Sequence, residues 1–214
     1  MAFLSQHNFP ALWEFFQIFL GGTYDKRKLV LLKYKHQKRI LEVGCSLGNI
    51  ATAFLPYKNI TYTGIDIDEV VITYARKKFH FHKNFKFLCD DLLDFSKSRE
   101  TYDYILFAGV CHHINDQDCV KMLQAAQKLL DPNGDLWVID ILYPEKNDPK
   151  LMHWYIHLDQ GEFIRNDAQL RALIGKAAHI KEAEIHNVGA TPFSWPHCMR
   201  FGVYHLVALQ RHPY

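Results

Sequence analysis

The stretch from Arg39 to Asp66 constrains the fold of this chain more than any other part of it. It reads RILEVGCSLGNIATAFLPYKNITYTGID and opens with a short apolar run, as in a strand buried on both faces of a parallel sheet. A glycine turn follows, then an apolar segment at helical spacing from Ile50 to Leu55. Asn59–Ile65 is rich in β-branched and aromatic residues, which predicts a second strand. This order predicts a βαβ unit, whose ligand binds outside the carboxyl ends of the strands.

The glycine turn differs from the dinucleotide-binding fingerprint. A G-x-G-x-x-G pattern would need glycine at position 46, where this chain has Ser46. Glu42, just before the turn, would face the negative charge of a pyrophosphate and instead suits a ligand that carries positive charge. The two glycines, Gly44 and Gly48, accept positive φ angles and allow the backbone to approach a ligand closely.

The pattern Glu42-x-Gly44-x-x-x-Gly48, with Asp66 after the next strand, resembles motif I and its sequel in class I S-adenosylmethionine (SAM)-dependent methyltransferases. The resemblance covers roughly positions 39–142 by motif and points to a group of small bacterial members of type 11 or 12. Many members read GCGTG where this chain has GCSLG, so a serine hydroxyl replaces the middle glycine. The resemblance implies SAM as cofactor, S-adenosylhomocysteine (SAH) as its product, and cofactor contacts at Glu42, Gly44, Cys45, Gly48, Asp66, Ile67, Asp90, Asp91 and Ala108.

The resemblance also implies a role for several of these residues. Asp66 would accept hydrogen bonds from both ribose hydroxyls, because a carboxylate has two acceptor oxygens. Ile67 would lie against the adenine, and Glu42 would shape the pocket near the amino group of the cofactor. Asp90 matches the acid that receives the adenine amino group, with Asp91 as its competitor.

Length and composition favour one domain. The chain has 214 residues, of which 49% are hydrophobic, enough for a sizeable core. The net charge of +2 is small and the basic residues are scattered, so no basic face suggests a nucleic-acid partner. Five cysteines without a C-x-x-C pair indicate buried thiols in a reducing compartment. We expect a cytoplasmic protein without a signal peptide or membrane span, because no apolar segment reaches about 18 residues.

Strands alternate with helices along most of the chain, which predicts a doubly wound, mostly parallel sheet with helices on both faces. A turn signal, DPNG, is expected to end the fourth helix at position 130. After the first strand, the predicted strands are Asn59–Ile65, Phe85–Leu88, Tyr102–Phe107, Asp135–Leu142, His179–Val188 and Phe201–Gln210. The predicted helices are Pro10–Leu20, Asp25–His36, Asp68–Phe79, Asp116–Leu130, Leu151–Leu158 and Asn166–Lys176.

The family resemblance implies seven strands with the last one antiparallel, and the last two predicted strands read as an antiparallel hairpin. We expect a single domain with an N-terminal helical cap (1–37), a SAM-binding core (38–142), and substrate-side helices with a C-terminal hairpin (143–214). The aromatic segment Pro10–Leu20 suits a helix packed on the sheet, a lid over the active site, an anchor near a lipid substrate, or a dimer contact. The second helix, Asp25–His36, has a basic face that is expected to be solvated.

A histidine pair follows the fourth strand, in the segment AGVCHHI at 108–114, where the family places its motif IV. His112 and His113 are candidate catalytic residues, because the pKa of histidine lies near neutral pH. Adjacent residues on a helix or turn point in different directions, so at most one is expected to face the substrate. The alternative for each is a buried, hydrogen-bonded histidine that stabilises the loop.

Substrate contacts are expected from the last third of the chain. Its segment DQGEFIRNDAQLRAL, at 159–173, resembles a segment of small bacterial SAM methyltransferases. Arg165 is a candidate clamp for a carboxylate or phosphate, or a tie from this segment to Asp159 or Glu162. Aromatic residues carried on loops are candidates to line an apolar substrate pocket, namely Trp154, Tyr155, Phe193 and Trp195.

These observations predict methyl transfer to a small acceptor, apolar or lipid-like, at oxygen, nitrogen or carbon, by in-line displacement with a histidine as possible base. No Asp stands in the loop after the fourth strand where catechol-type relatives hold magnesium, so no metal is expected. The alternatives are a SAM-binding scaffold without catalysis and a Rossmann-type oxidoreductase.

Overall fold

The computed structural model describes residues 6–98 and 100–208. The first five residues and the last two residues of the predicted strand Phe201–Gln210 lie outside this part. The described chain forms seven strands: β1 (Arg39–Val43), β2 (Thr61–Asp66), β3 (Phe85–Cys89), β4 (Tyr102–Ala108), β5 (Leu130–Leu142), β6 (Ala178–Gly189) and β7 (His197–Ala208).

All seven strands belong to one sheet, in the order β3-β2-β1-β4-β5-β7-β6. The pairs from β3 through β5 are parallel, and β7 runs antiparallel between β5 and β6. The predicted fold class is therefore confirmed, including the antiparallel last strand. The strand order, which the sequence left open, places β6 and not β7 at the edge of the sheet.

Helices cover both faces of the sheet, as predicted. One apolar core beneath the sheet includes residues of α2 and α3, and the other includes residues of α4, α5 and α7. Their bounds are α1 (Pro10–Phe19), α2 (Thr23–Lys33), α3 (Glu69–Lys78), α4 (Leu92–Phe95), α5 (Asp116–Leu129), α6 (Lys150–Tyr155) and α7 (Asp167–Ile174).

Local capping explains where several helices begin. Asp68 accepts a hydrogen bond from the Val70 N–H and caps α3, as predicted. Asn166 caps α7 through a capping box with Gln169, so this helix starts one residue later than the sequence suggested.

Two predicted features differ in the structure. The segment after the glycine turn forms a short 3₁₀ helix, Ala51–Phe54, in place of an α-helix. The DPNG segment does not form the predicted turn, because β5 begins at Leu130. The β4–β5 register shifts between the pairs Tyr102–Leu130 and Tyr104–Asp135, so this segment is accommodated as an irregularity within the strand.

The helix α1 is an exposed cap and not a helix packed on the sheet. None of its residues is buried, and Phe15 and Phe19 are about half exposed. Its polar anchor is Glu14, which accepts hydrogen bonds from Tyr74 and Lys78 of α3. No helix within 6–98 and 100–208 is long and apolar enough to cross a membrane.

Candidate cofactor and active site

The site lies at the carboxyl ends of the parallel strands. Because β1 pairs with β2 and β4, the ends of these three strands lie side by side. This arrangement brings the glycine turn after β1, Asp66 at the end of β2 and Ala108 at the end of β4 to one edge of the sheet. The sequence predicted this grouping from the order of its elements.

The backbone of the glycine turn is left-handed at three positions. Gly44 and Gly48 have φ angles of 67° and 70°. A Cβ on Gly44 would also lie 2.8 Å from a methyl of Val110. The close approach in this structure is therefore between the turn and the loop after β4. Ser46 has a φ of 47°, a conformation that costs a residue with a side chain about 1 kcal/mol.

Asp66 is held in place by the turn and by its own loop. Its carboxylate accepts hydrogen bonds from the N–H groups of Ser46 (2.9 Å) and Asp68 (3.1 Å). Burial raises the pKa of Asp66, and these backbone hydrogen bonds oppose the rise. Each oxygen keeps lone-pair capacity for a ligand hydroxyl. Ile67 is 76% exposed beside it, as a residue that lies against a ligand ring would be.

The structure distinguishes Asp90 from Asp91. Asp91 caps α4 by accepting a hydrogen bond of 2.6 Å from the Leu93 N–H. The Asp90 carboxylate makes no hydrogen bond or ion pair with the residues that the structure describes, and its backbone N–H donates to Asp66 O at 3.1 Å. Asp90 is therefore the one of the two carboxylates that is not used in capping α4.

This difference gives a matched pair of variants. We expect Asp90→Ala to weaken SAH binding roughly tenfold, because it removes one hydrogen bond to a charged acceptor. Asp91→Ala should lower the free energy of unfolding by about 1 kcal/mol through loss of the helix cap, with SAH affinity unchanged. Calorimetric titration and thermal melting of both variants check this assignment, and the reverse pattern would assign the adenine contact to Asp91.

Glu42 lies inside the protein beneath the turn. It is 2% exposed and accepts a hydrogen bond from the Tyr62 hydroxyl. Burial, together with the nearby Asp66 carboxylate, raises the pKa of Glu42 well above its ordinary value. The positive charges of Lys26, Lys78 and Arg27 nearby oppose this rise.

His112 is the buried member of the histidine pair. Its Nδ1 lies 2.5 Å from Asp140 Oδ1, and its Nε2 lies 3.5 Å from Asp159 Oδ1. Burial alone would lower the pKa of His112, but the Asp140 carboxylate raises it above the ordinary value. Asp140 also accepts hydrogen bonds from the N–H groups of Cys111 (2.6 Å) and Ile141 (2.8 Å). His112 is thus held by carboxylates at both ring nitrogens, and its raised pKa favours the protonated form.

His113 differs from its neighbour in both exposure and charge. It is an exposed residue at the sheet edge, and its ring centroid lies 4.0 Å from that of His112. Partial desolvation, reinforced by the charge on His112, lowers the pKa of His113 to about 4. Its imidazole is therefore neutral at pH 7 and able to accept a proton.

The structure corrects the expectation for Arg165. The guanidinium is buried and donates to Asp116 (2.9 and 2.7 Å) and to the carbonyls of Cys111 (2.8 Å) and Ile114 (2.7 Å). Its partners are not Asp159 or Glu162, and its donors are engaged within the protein. Arg165 therefore holds the loop after β4 that carries His112 and His113, and it is not placed as a clamp for a substrate anion.

The rest of the 159–165 segment also packs on His112. The Phe163 N–H donates to His112 O at 2.9 Å. A Cβ on Gly161 would lie 2.4 Å from His112 Cδ2, so only glycine fits against the ring. The first part of the 159–173 segment thus packs over the loop after β4.

The candidate substrate aromatics are divided by the structure. Trp154, Phe193 and Trp195 are 60%, 90% and 72% exposed. Tyr155 is tied to the cap, because its hydroxyl donates to Leu20 O at the end of α1.

Two charged residues that lie near the site, Asp140 and Lys26, were not predicted from the sequence. Asp140 stands inside an apolar strand, and its role depends on a histidine 28 positions away. Lys26 lies on the face of α2 that was expected to be solvated, yet its ammonium reaches the region of Gly109. The neighbouring Arg27 is also used, because it donates to Asn49 O at 2.7 Å.

The N-terminal segment crosses the cofactor side of the site. Ser46 Oγ donates to Gln6 Oε1 at 2.7 Å, and His7 Nδ1 lies 3.1 Å from Asp68. Lys78 joins Glu14 of α1 to Leu47 O and Asn49 beside the glycine turn. The cap is therefore attached to the loops that carry the predicted cofactor residues.

Four cysteines are buried as expected, whereas Cys89 is exposed. Within the described residues, no group of His, Cys, Asp and Glu side chains is arranged to hold a metal ion.

Comparison with known proteins finds similarity to methyltransferases. Residues 40–134 match a family model described as a methyltransferase domain. Tabersonine 16-O-methyltransferase of Catharanthus roseus is 26% identical over 163 residues, which are 73% of this chain and 44% of that protein. Myricetin 3'/5'-O-methyltransferase 1 of Solanum habrochaites is 29% identical over 114 residues, 51% of this chain and 29% of that protein.

A solved structure shows the same fold. The mitomycin 7-O-methyltransferase MmcR matches with a TM-score of 0.66 at 17% identity, over 87% of this chain and 54% of that chain. The chain spans less than half the length of the curated relatives and about half of this structure. Residues 40–134 are thus similar to a methyltransferase domain, the described chain has the Rossmann-like fold of this solved methyltransferase, and SAM is the cofactor that the matched family implies.

Proposed function

We propose that this chain transfers the methyl group of SAM to an oxygen atom of a small organic acceptor. The observation that carries the proposal is a neutral, exposed His113, which lies at the carboxyl ends of the parallel strands together with the hydrogen-bonded carboxylate of Asp66. The relatives named as O-methyltransferases favour oxygen over nitrogen and carbon. The exposed Trp154 and Trp195 favour an acceptor with apolar or aromatic surface.

The residues present fit the cofactor. Asp66 has acceptor capacity for the ribose, Ile67 offers an exposed apolar side chain, and Asp90 has a free carboxylate for the adenine. SAM supplies an electrophilic methyl group on a sulfonium. The chain has to hold the acceptor oxygen in line with that group, and alignment of this kind can supply roughly 7–11 kcal/mol of the barrier.

The two histidines take different roles in this proposal. His113 accepts the proton of the acceptor hydroxyl, because its neutral imidazole is exposed at the site. His112 is less suited to this role, because it is buried between Asp140 and Asp159 and its raised pKa favours the protonated form. It fixes the position of the loop that carries His113.

A single substitution tests the base. We expect His113→Ala to lower kcat by about 10²–10⁴-fold, the usual contribution of a general base, with SAH affinity unchanged. Transfer of labelled methyl from SAM to the acceptor measures kcat, and titration measures affinity. Unchanged turnover in this variant would remove His113 from the mechanism.

The pH profile gives an independent test of the same assignment. A folded pKa of about 4 lies below the ordinary value, so His113 loses its proton well below neutral pH and stays competent as a base down to about pH 5. We therefore expect no tenfold loss of kcat/KM between pH 7 and 5.5, which a base with an ordinary histidine pKa would show. Such a loss, absent from the His113→Ala variant, would contradict this account.

The acceptor is found by screening methyl transfer from labelled SAM to hydroxylated flavonoids, indole alkaloids and quinones. Mass spectrometry of the product should show a methyl ether. An N- or C-methylated product would contradict oxygen as the acceptor atom.

The two alternatives predict different results. A SAM-binding scaffold would bind SAM without turnover on any acceptor of the panel. An oxidoreductase would bind a nicotinamide dinucleotide, but Ser46 stands where the fingerprint has glycine, and its N–H is already bonded to Asp66.

A further inference from the structure

Lys26 belongs to none of the sequence motifs, yet its ammonium lies at the edge of the sheet where the site residues meet. A Cβ placed on Gly109, just after β4, would be 3.7 Å from Lys26 Nζ and 3.7 Å from His112 Cε1. Gly109 has a φ of 75°, so a side chain there would also be strained. The missing side chain leaves a space between the lysine and the histidine.

Each carboxylate near Lys26 has another partner. Glu42 bonds to Tyr62, Asp140 to His112, and Asp159 to the Gly161 N–H at 2.7 Å. Across 6–98 and 100–208, no side chain forms an ion pair with Lys26. Its Nζ lies 6.0 Å from the centroid of the Phe201 ring.

The Lys26 side chain is partly shielded from solvent. Burial lowers the pKa of Lys26, and the attraction of Asp159, Asp140 and Glu42 opposes this without direct contact. A buried charge that lacks a partner destabilises a fold, whereas the same charge stabilises a bound group of opposite sign.

The charges around this space match a group that carries both signs. Lys26 offers a cation, while Asp159 offers a nearby carboxylate to a positive group. The amino acid end of SAM carries an α-ammonium and an α-carboxylate, whereas an acceptor hydroxyl is neutral. The ligand chemistry that satisfies Lys26 is therefore a carboxylate next to an ammonium.

We infer that Lys26 binds the α-carboxylate of SAM and thereby positions the amino acid end of the cofactor beside the loop after β4. This inference rests on the proposed function, because it assigns a contact to the proposed cofactor. Lys26 acts on binding, and His113 remains the residue that acts on the acceptor.

The test compares SAM with decarboxylated SAM, which lacks the α-carboxylate and keeps the sulfonium. Calorimetry on the wild-type protein should show SAM binding about 10–100-fold tighter than decarboxylated SAM, as expected for a hydrogen-bonded charge pair. Lys26→Met should lose this preference by weakening SAM to a similar extent while leaving decarboxylated SAM unchanged. Lys26→Arg should retain most of the preference.

The controls separate binding from folding. Lys28→Met on the same helix removes an exposed lysine that pairs with Asp25 at 3.2 Å, and it should not change the preference. The Tm of Lys26→Met should be equal to or above that of the wild type, because an unpaired buried cation is replaced by an apolar side chain.

Two outcomes would overturn the inference alone: Lys26→Met binds SAM as tightly as the wild type, or it weakens both ligands equally. If the wild-type protein binds neither ligand, the proposed function fails as well, so the two failures can be told apart.

Discussion

Replacing Asp66 by alanine should weaken SAH binding by roughly two to three orders of magnitude. The carboxylate has capacity for two ribose hydroxyls, and two hydrogen bonds to a charged acceptor contribute about 3–4 kcal/mol together. The substitution also removes the acceptor for the N–H groups of Ser46 and Asp68, which position the glycine turn. Calorimetric titration with SAH measures the loss.

Asp68→Ala is the matched control for this prediction. Asp68 lies in the same loop but caps α3, so its loss should lower the free energy of unfolding by about 1 kcal/mol with little change in SAH affinity. Equal loss of affinity in the two variants would show that loop order, and not a ribose contact, accounts for the effect of Asp66→Ala.

The second large effect is expected at Asp140. Its substitution by alanine leaves His112 buried without its carboxylate partner. It also removes the acceptor for the backbone N–H groups of Cys111 and Ile141. Removing one partner of a buried ion pair costs about 3–5 kcal/mol. Thermal denaturation should show Tm lowered by roughly 6–20 °C for a chain of this length.

The pH dependence of this effect has a defined sign. The pKa of His112 is raised in the folded state, so its pairing with Asp140 stabilises the fold below the unfolded pKa of about 6.5 and is lost as pH rises through the folded value. The pKa of Asp140 is lowered, so its contribution is lost as pH falls through its folded value. The difference in stability between wild type and Asp140→Ala should therefore shrink at alkaline pH.

A double substitution checks the coupling. In Asp140→Ala, His112 loses its carboxylate partner. The double variant His112→Ala/Asp140→Ala also removes this histidine, so it should be less destabilised than the sum of the two single variants. Strict additivity would mean that the two side chains do not act as a pair.

Local patterns were sufficient for the part of the fold that carries the cofactor site. The strand that ends at Asp66 and the glycine turn before it form one continuous segment, so their spacing alone indicated a βαβ unit. Asp91 was not separated from Asp90, because the choice depends on where α4 begins. The DPNG segment has the composition of a turn, whereas the structure includes it in β5, at the register shift between the pairs Tyr102–Leu130 and Tyr104–Asp135.

Contacts between distant positions could not be predicted in the same way. The partners His112 and Asp140 are brought together by the parallel pairing of β4 with β5. The candidate roles of Arg165 were a clamp for a substrate anion or a tie to Asp159 or Glu162, but Asp116 and the carbonyls of Cys111 and Ile114 accept its hydrogen bonds. Such partners follow from strand order and register, which the sequence did not specify.

The most direct test of the central claim is calorimetric titration of the wild-type protein with SAH, beside NAD⁺ under the same conditions. The account predicts micromolar binding of SAH at one site per chain and no comparable binding of NAD⁺. A folded protein that does not bind SAH, or that binds NAD⁺ more tightly, would contradict the assignment of the site at the carboxyl ends of β1, β2 and β4 to SAM.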